Sequence, residues 1–117
     1  MKRIILDTDF ILNILKNRIR LKDELRRIIN DNFEVYILDM TLEELKGKPN
    51  EKLAIAYAKR FKILKTDKDK PVDDLLLNYQ NYVIATQDRA LKEKLKKGGF
   101  SVITIRQNKF LVTDNVL

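Results

Sequence analysis

The stretch Ile4-Ile5-Leu6-Asp7-Thr8-Asp9 decides the fold, because an apolar run ends there abruptly in two carboxylates. Three consecutive apolar residues close to the N-terminus predict a strand that is buried on both faces. An acid at the end of such a strand lies at the carboxyl edge of an open α/β sheet, where ligands bind. Asp7 is therefore a candidate site residue, since a nearly buried carboxylate is costly without a partner or a cation. Asp9 has two interpretations, a second site residue or the cap of the following helix.

Size and composition indicate one globular domain over residues 1–117. The chain has 44% apolar residues, which is typical of a folded protein and argues against disorder. The sequence has neither an apolar run of the roughly 18 residues that a membrane span needs nor a pattern typical of a signal peptide. We therefore expect no membrane partner and a cytoplasmic location.

The absence of cysteine and histidine restricts the reactions that this chain can catalyse. The chain contains no cysteine and no histidine, which excludes disulfides, thiolate zinc sites, cysteine nucleophiles and the usual general base. Catalysis must then depend on carboxylates, hydroxyls, lysine, arginine, or a hard metal ion held by oxygen. The net charge of +7 makes nucleic acid a candidate partner, although Lys- and Glu-rich surfaces also occur in proteins from hot environments.

Strand and helix patterns alternate along the whole chain. This alternation predicts an α/β fold, a three-layer α/β/α arrangement around a central parallel sheet of about five strands. The predicted strands are 3–7, 33–38, 62–66, 82–86 and 101–105, with a further terminal strand allowed at 109–113. The predicted helices follow strand one and cover about 21–30, 41–47, 50–61, 72–80 and 88–98.

Four acids recur where a predicted strand ends or a helix begins: Asp7, Glu44, one of the pair Asp73 and Asp74, and Asp88. In a parallel sheet these places share one edge, so residues distant in sequence can meet there. Neighbouring carboxylates repel each other, and protonation or a bound cation must relieve that repulsion. Because oxygen is the available ligand, the cation would be Mg²⁺ or Mn²⁺.

Each of these acids also has a purely structural interpretation. Thr41 and Glu44 have the spacing of a capping box, in which Glu44 bonds back to a backbone amide. Asp73 and Asp74 lie where a helix dipole favours negative charge. Asp88 or Thr86 fits the N-cap of the next helix.

Four segments resemble, in order, the signature blocks of PIN-domain ribonucleases, and the resemblance covers residues 3 to about 106. The last is the most specific, because it is similar to the VAT-x-D-x-x-L-K block of small archaeal PIN proteins related to ribosomal-RNA-processing nucleases. The doubled aspartate resembles the same branch. The segments are residues 5–12 (ILDTDFIL), 42–45 (LEEL), 72–77 (VDDLLL) and 83–92 (VIATQDRALK).

The resemblance implies a metal site whose ligands would be Asp7, Glu44, Asp73 and Asp88. Glu44 is preferred over Glu43 because the family places its glutamate directly before leucine. Asp73 is preferred over Asp74 because it places Leu76 and Leu77 at i+3 and i+4, on the inward face. Asp74 stays in the candidate set, because the segment after the pair looks about one helical turn shorter than usual in the family. Thr86 matches the family's hydroxyl beside the metal, and position 9, often Asn or Ser in the family, is Asp here.

The same resemblance implies Mg²⁺ or Mn²⁺ as cofactor and RNA, single-stranded or looped, as substrate. Basic residues must then hold the RNA, and the candidates are Arg89 and Lys92 on the helix after strand four, and Lys16 and Arg18 after helix one. The role would be that of a VapC-type toxin held inactive by a small antitoxin, or of a nuclease that processes ribosomal RNA. A homodimer is expected in some members, with residues 110–112 at an edge strand or an interface.

Three alternatives stay open at this point. One is a PIN-like module that binds RNA or protein without cutting. Another is a phosphatase, since Asp7-Thr8-Asp9 is similar to the Asp-x-Asp of haloacid dehalogenases. That family, however, places a Thr/Ser strand and a lysine before its final acidic pair, whereas Asp73 and Asp74 precede Thr86. Receiver domains need an acid at the end of strand three, which this sequence lacks.

Overall fold

The computed structural model describes residues 1–67, 69–115 and 117 and consists of a six-stranded sheet between two groups of helices. The strand order is β3-β2-β1-β4-β5-β6, and every neighbouring pair is parallel except β5 and β6. The elements are β1 (Lys2–Leu6), α1 (Thr8–Lys16), α2 (Leu21–Ile28), β2 (Phe33–Leu38), α3 (Asp39–Leu45), α4 (Glu51–Ala58), β3 (Lys62–Leu64), α5 (Val72–Leu76), β4 (Val83–Ala85), α6 (Arg89–Lys97), β5 (Val102–Arg106) and β6 (Phe110–Thr113).

Strand β1 lies in the middle of the sheet, as its apolar run predicts. Ile4 and Leu6 pack into one core with helices α1, α2 and α4, whereas Ile5 packs into the other core with α5 and α6. All three side chains are fully buried. The predicted α/β architecture is confirmed, and the consecutive apolar residues are explained by burial on both faces.

Helix α5 is shorter than the sequence pattern predicts. It ends at Leu76 rather than near residue 80, because the amides of Asn78 and Tyr79 bond to carbonyls three residues back and turn the chain. Three tyrosines follow or face this turn and stack edge to face, with Tyr82 between Tyr36 and Tyr79.

The allowed terminal strand forms, and it is antiparallel rather than parallel. Gln107 and Asn108 both have positive φ, and the Lys109 amide donates to the Arg106 carbonyl at 3.1 Å, which closes a tight turn between the two strands. Helix α2 then covers the outer edge of β6. The Leu111 amide donates to the Glu24 carboxylate at 2.9 Å, and Arg27 donates to the Leu111 carbonyl at 2.6 Å. This edge is protected by side chains from pairing with another strand, so residues 110–112 form an edge strand of the domain's own sheet.

No helix in the described part of the chain is long and apolar enough to cross a membrane.

Candidate active site

An open cleft of about 320 Å³ lies at the carboxyl edge of the sheet, beyond the ends of β1 and β4. The structure brings Asp7, Glu44, Asp73 and Asp88 to this one cleft, as the sequence predicts, although they are spread over 82 positions. Asp9 joins them. The remaining lining residues are Thr8, Lys48 and Val72.

Asp7 is held in the cleft by its neighbours in the sheet. Its amide continues the ladder of β1 by donating to the carbonyl of Ala85 at 2.9 Å, which fixes the point where the chain leaves the strand. Asp7 is the N-cap residue of α1, yet its side chain does not cap the helix. Instead the carboxylate accepts a hydrogen bond from the Thr86 hydroxyl, with 2.6 Å between Oγ1 and Oδ2. Asp7 is 9% exposed and Thr86 is fully buried.

Thr86 also connects Asp7 to Asp88. The Thr86 hydroxyl oxygen accepts a hydrogen bond from the Asp88 amide at 3.1 Å, and the same hydroxyl donates one to Asp7. Asp88 in turn caps α6, because its Oδ1 accepts from the Leu91 amide at 3.0 Å. The capping interpretation of Asp88 is therefore confirmed, and the same residue lines the cleft. Thr86 is a buried positioning group rather than a cap.

Glu44 reaches the cleft from α3, and its capping-box interpretation is wrong. Helix α3 begins at Asp39, two residues earlier than predicted, so Thr41 lies inside the helix and is fully buried. Among the described residues Thr41 Oγ1 has no hydrogen-bond partner. The Glu44 carboxylate instead accepts a hydrogen bond from the hydroxyl of Thr8, which joins α3 to α1.

Only one member of the doubled aspartate lines the cleft. Asp73 is half-buried and faces it, whereas Asp74 is exposed and is not among the lining residues. Burial is the main cause that raises the pKa of Asp73, and the negative charges of Asp88, Asp74 and Asp9 raise it further. The preference for Asp73 agrees with this placement, and Asp74 does not belong to the cleft.

Comparison with known proteins identifies the fold. The family described as a PIN like domain matches residues 4–108. The chain belongs to this family. It is similar to Ribonuclease VapC4 from Methanocaldococcus jannaschii, with 34% identity over 125 residues that cover 94% of this chain and 95% of that protein. It is also similar to the solved structure of the PIN domain endonuclease Utp24, with a TM-score of 0.84 and 27% identity over 98% of this chain and 92% of that one.

These matches confirm the predicted PIN fold and nuclease activity as the class of function. The phosphatase and receiver alternatives find no support in them. The roles of the individual cleft residues remain predictions. The contacts in this PIN domain show which atoms each of these residues bonds.

The PIN cleft holds several carboxylates in a partly buried environment. Burial raises the pKa of Asp7 to about 6, and the charges of Asp9 and Glu44 add to that effect. The hydrogen bond from Thr86 acts in the opposite direction and lowers the pKa. An ionised Asp7 therefore lowers the stability of the folded protein at neutral pH, and a cation bound in the cleft would offset this loss.

The donor set matches a hard divalent cation that keeps much of its water. Carboxylate and hydroxyl oxygens are its ligands of choice, and Mg²⁺ is commonly held through only one or two carboxylates. In the described part of the chain, no group of three acidic side chains is close enough to enclose an ion by itself. A hydrated ion that bridges part of the cleft fits these residues, whereas a fully dehydrated ion in a protein cage does not.

The basic residues predicted to hold RNA do not line the cleft, in contrast to the predicted acids. Lys16 ends α1 and Arg18 follows it, about 13 Å along the helix from the cleft, so neither lines the cleft, and their role in holding RNA stays a prediction. Arg89 and Lys92 are in the first turn of α6, close in sequence to Asp88, but neither lines the cleft.

The sequence analysis missed Lys48, a basic residue that does line the PIN cleft. It lies in a shaped loop in which Gly47 has a φ of +79° and its amide donates to the carboxylate of Glu51. A Gly-x-Pro sequence directly after a short helix that carries a site acid was the signal that could have found it. The positive charge of Lys94, on α6, lowers the pKa of Asp73.

Proposed function

We propose that this PIN-family protein is a divalent-metal-dependent ribonuclease that hydrolyses phosphodiester bonds in single-stranded or looped RNA. The observation that carries the proposal is the convergence of five carboxylates on one cleft at the sheet edge. The names of two relatives, a ribonuclease and a PIN domain endonuclease, support the same chemistry. A module that only binds RNA would not need this costly acidic cluster.

Asp7, Glu44, Asp73 and Asp88 are the residues that would hold a hydrated Mg²⁺ or Mn²⁺, some of them through its bound water. When bound, the cation supplies charge that offsets the negative phosphate and acidifies the attacking water. The chain's own contribution is positioning: the Thr86 hydroxyl fixes the Asp7 carboxylate, the Leu91 amide fixes Asp88, and Thr8 fixes Glu44. Lys48 supplies positive charge at the rim for a phosphate that the acids alone would repel.

The doubled aspartate offers a matched pair of variants that tests the proposal. Asp73→Asn removes a carboxylate from the cleft and should lower RNA cleavage at least 30-fold, a loss of about 2 kcal/mol in transition-state stabilisation. Asp74→Asn makes the same chemical change one residue away on the exposed side and should leave cleavage within about twofold. The assay uses a labelled RNA with Mg²⁺ or Mn²⁺, with and without a chelator. Cleavage that persists in the chelator, or equal activity of both variants, contradicts the proposal.

Lys48 and Lys46 provide a second matched pair in the same loop. Lys46 pairs with Glu43 at 2.9 Å, outside the cleft, whereas Lys48 lines it. Lys48→Ala should raise KM for RNA about 3- to 10-fold, because a cation beside the phosphate contributes about 1 kcal/mol. Lys46→Ala should leave KM unchanged. Steady-state cleavage over a range of salt concentrations measures both, and an equal effect of the two variants would remove Lys48 from the site.

For the biological role we propose a VapC-type toxin with a small antitoxin as partner, acting in the cytoplasm. The 34% identity to Ribonuclease VapC4 over nearly the whole of both chains supports this choice. Co-purification with a short protein encoded beside it is the expected result. Association with pre-ribosomal particles instead would favour the role in ribosomal-RNA processing.

A further inference from the structure

A second concave surface lies at the other end of helices α1 and α4, far from the acidic cleft. This distal groove has a volume of about 390 Å³. It continues into two neighbouring depressions, since Lys22 borders all three and Arg60 and Phe61 border two of them. The residues that line the groove are Ile19, Arg20, Leu21, Lys22, Asp23, Tyr57, Arg60 and Phe61.

The distal groove is strongly basic. Three of its lining residues are cations, Arg20, Lys22 and Arg60, and Asp23 is its acid. That carboxylate is already shared between Arg20 at 4.0 Å and Arg26 at 3.5 Å. Within the described residues, Lys22 and Arg60 make no ion pair. Two exposed cations beside an already neutralised acid are complementary to a polyanion.

The floor of the groove is aromatic and interacts with one of these cations. The Arg60 guanidinium lies over the ring of Tyr57, 5.7 Å from its centroid, and Tyr57 meets the ring of Phe61 edge to face at 5.2 Å. Both rings are half-buried, so each is anchored in the core and still presents a surface. Cations along a backbone path together with aromatic rings and arginine planes are the features that bind single-stranded nucleic acid.

Two helices connect the distal groove to the cleft. Helix α1 begins beside Asp7 and leads to Ile19, and α4 begins beside Lys48 and leads to Tyr57. Each helix spans about 12 to 13 Å. A strand of RNA with its reacting phosphate in the cleft can therefore reach the groove within a single-strand binding site of about 4 to 16 nucleotides.

We propose that the distal groove binds a single-stranded RNA segment that flanks the bond cleaved in the cleft. The inference rests on the proposed ribonuclease function and adds to it a source of affinity. The cleft is acidic and supplies little attraction for phosphate, so a basic surface at a distance from the chemistry must hold the substrate. An acidic protein segment would be the competing occupant, and the aromatic–arginine stacking favours RNA.

The test uses two charge reversals, Lys22→Glu and Arg60→Glu, and a matched control, Lys97→Glu. Lys97 is exposed at the end of α6, on the opposite face of the sheet. Binding of a fluorescent 12-nucleotide uridine oligomer is measured in chelator by anisotropy at several salt concentrations. Cleavage of the 12-mer and of a 4-mer is measured with Mn²⁺.

Each reversal in the groove should weaken 12-mer binding at least fivefold and reduce the slope of log K against log salt by about 0.7 per lost phosphate contact. It should raise KM for the 12-mer and leave kcat and 4-mer cleavage unchanged, which a general folding defect would not do. Lys97→Glu should change the 12-mer affinity less than twofold. If the groove variants behave like the control, the groove does not bind RNA. If the wild type binds RNA but does not cleave it, and the groove variants weaken that binding, the proposed ribonuclease function fails and the groove is an RNA-binding surface with no cleaved bond beside it.

Discussion

Replacing Asp7 by asparagine should remove at least two orders of magnitude of RNA cleavage and at the same time stabilise the fold at pH 8. The two effects have one cause. Asp7 is nearly buried and close to Asp9 and Glu44, so its pKa rises from 3.8 to about 6. A difference of about two pH units corresponds to about 3 kcal/mol of unfavourable free energy in the ionised native state. Asparagine keeps the acceptor for the Thr86 hydroxyl and removes the charge.

The sign of the pH dependence follows from the direction of this shift. Between pH 4 and pH 6 the unfolded chain releases the Asp7 proton before the native protein does. The contribution of Asp7 to the free energy of unfolding therefore decreases as pH rises through this window and is constant above it. Asp7→Asn should abolish that part of the slope, so the variant should gain about 2 to 3 kcal/mol at pH 8 and little at pH 4.

Chemical denaturation at pH 4, 6 and 8, without divalent cations, measures the effect. Asp9→Asn is the control, because Asp9 lines the same cleft but is exposed, and its stability should change by less than about 0.5 kcal/mol. A cation should stabilise the wild type and have a smaller effect on Asp7→Asn. A variant that is less stable than the wild type at pH 8 would show that Asp7 contributes to stability rather than opposing it.

The predictable parts of this fold are those in which a local pattern has one physical solution. The Ile4–Leu6 run can only be a strand buried on both faces, and an acid after it must lie at the sheet edge. Parallel topology then brings Asp88 close to Asp7, because β4 is the neighbour of β1. The convergence of the acids was predicted from strand ends and helix starts, without any side-chain geometry.

The features that sequence could not supply depend on contacts between distant elements. Thr41 and Glu44 have the spacing of a capping box, yet Thr8 competes for Glu44 from another helix. The choice within the doubled aspartate, in contrast, was predicted from the spacing of Asp73 to Leu76 and Leu77, and Asp73 lines the cleft. Lys48 lines the cleft because of the conformation of its loop, and a loop conformation cannot be predicted from hydrophobic periodicity. Charge indicates a surface but not its distance from the cleft, so the sequence could not show that Lys16 and Arg18 lie at the far end of α1.

The second large effect is expected at Thr86, the buried hydroxyl between Asp7 and Asp88. Thr86→Val has nearly the same shape but leaves Asp7 Oδ2 without its donor and the Asp88 amide without its acceptor. Each unsatisfied buried group costs about 1 to 3 kcal/mol, so the free energy of unfolding at pH 8 should fall by about 2 to 4 kcal/mol. The loss should be smaller at pH 4, where Asp7 carries no charge.

Thr86→Val should also change the pH profile of cleavage, which a purely structural substitution would not. The Thr86 hydrogen bond lowers the pKa of Asp7, so its removal raises that pKa further above 6. The acid limb of kcat/KM should then move to higher pH by about one unit, the equivalent of one hydrogen bond of about 1.4 kcal/mol. Thr86→Ser retains the hydroxyl and should keep the wild-type profile at a modest cost in stability. If serine and valine shift the acid limb equally, the hydroxyl does not control Asp7, and the proposed positioning role of Thr86 fails.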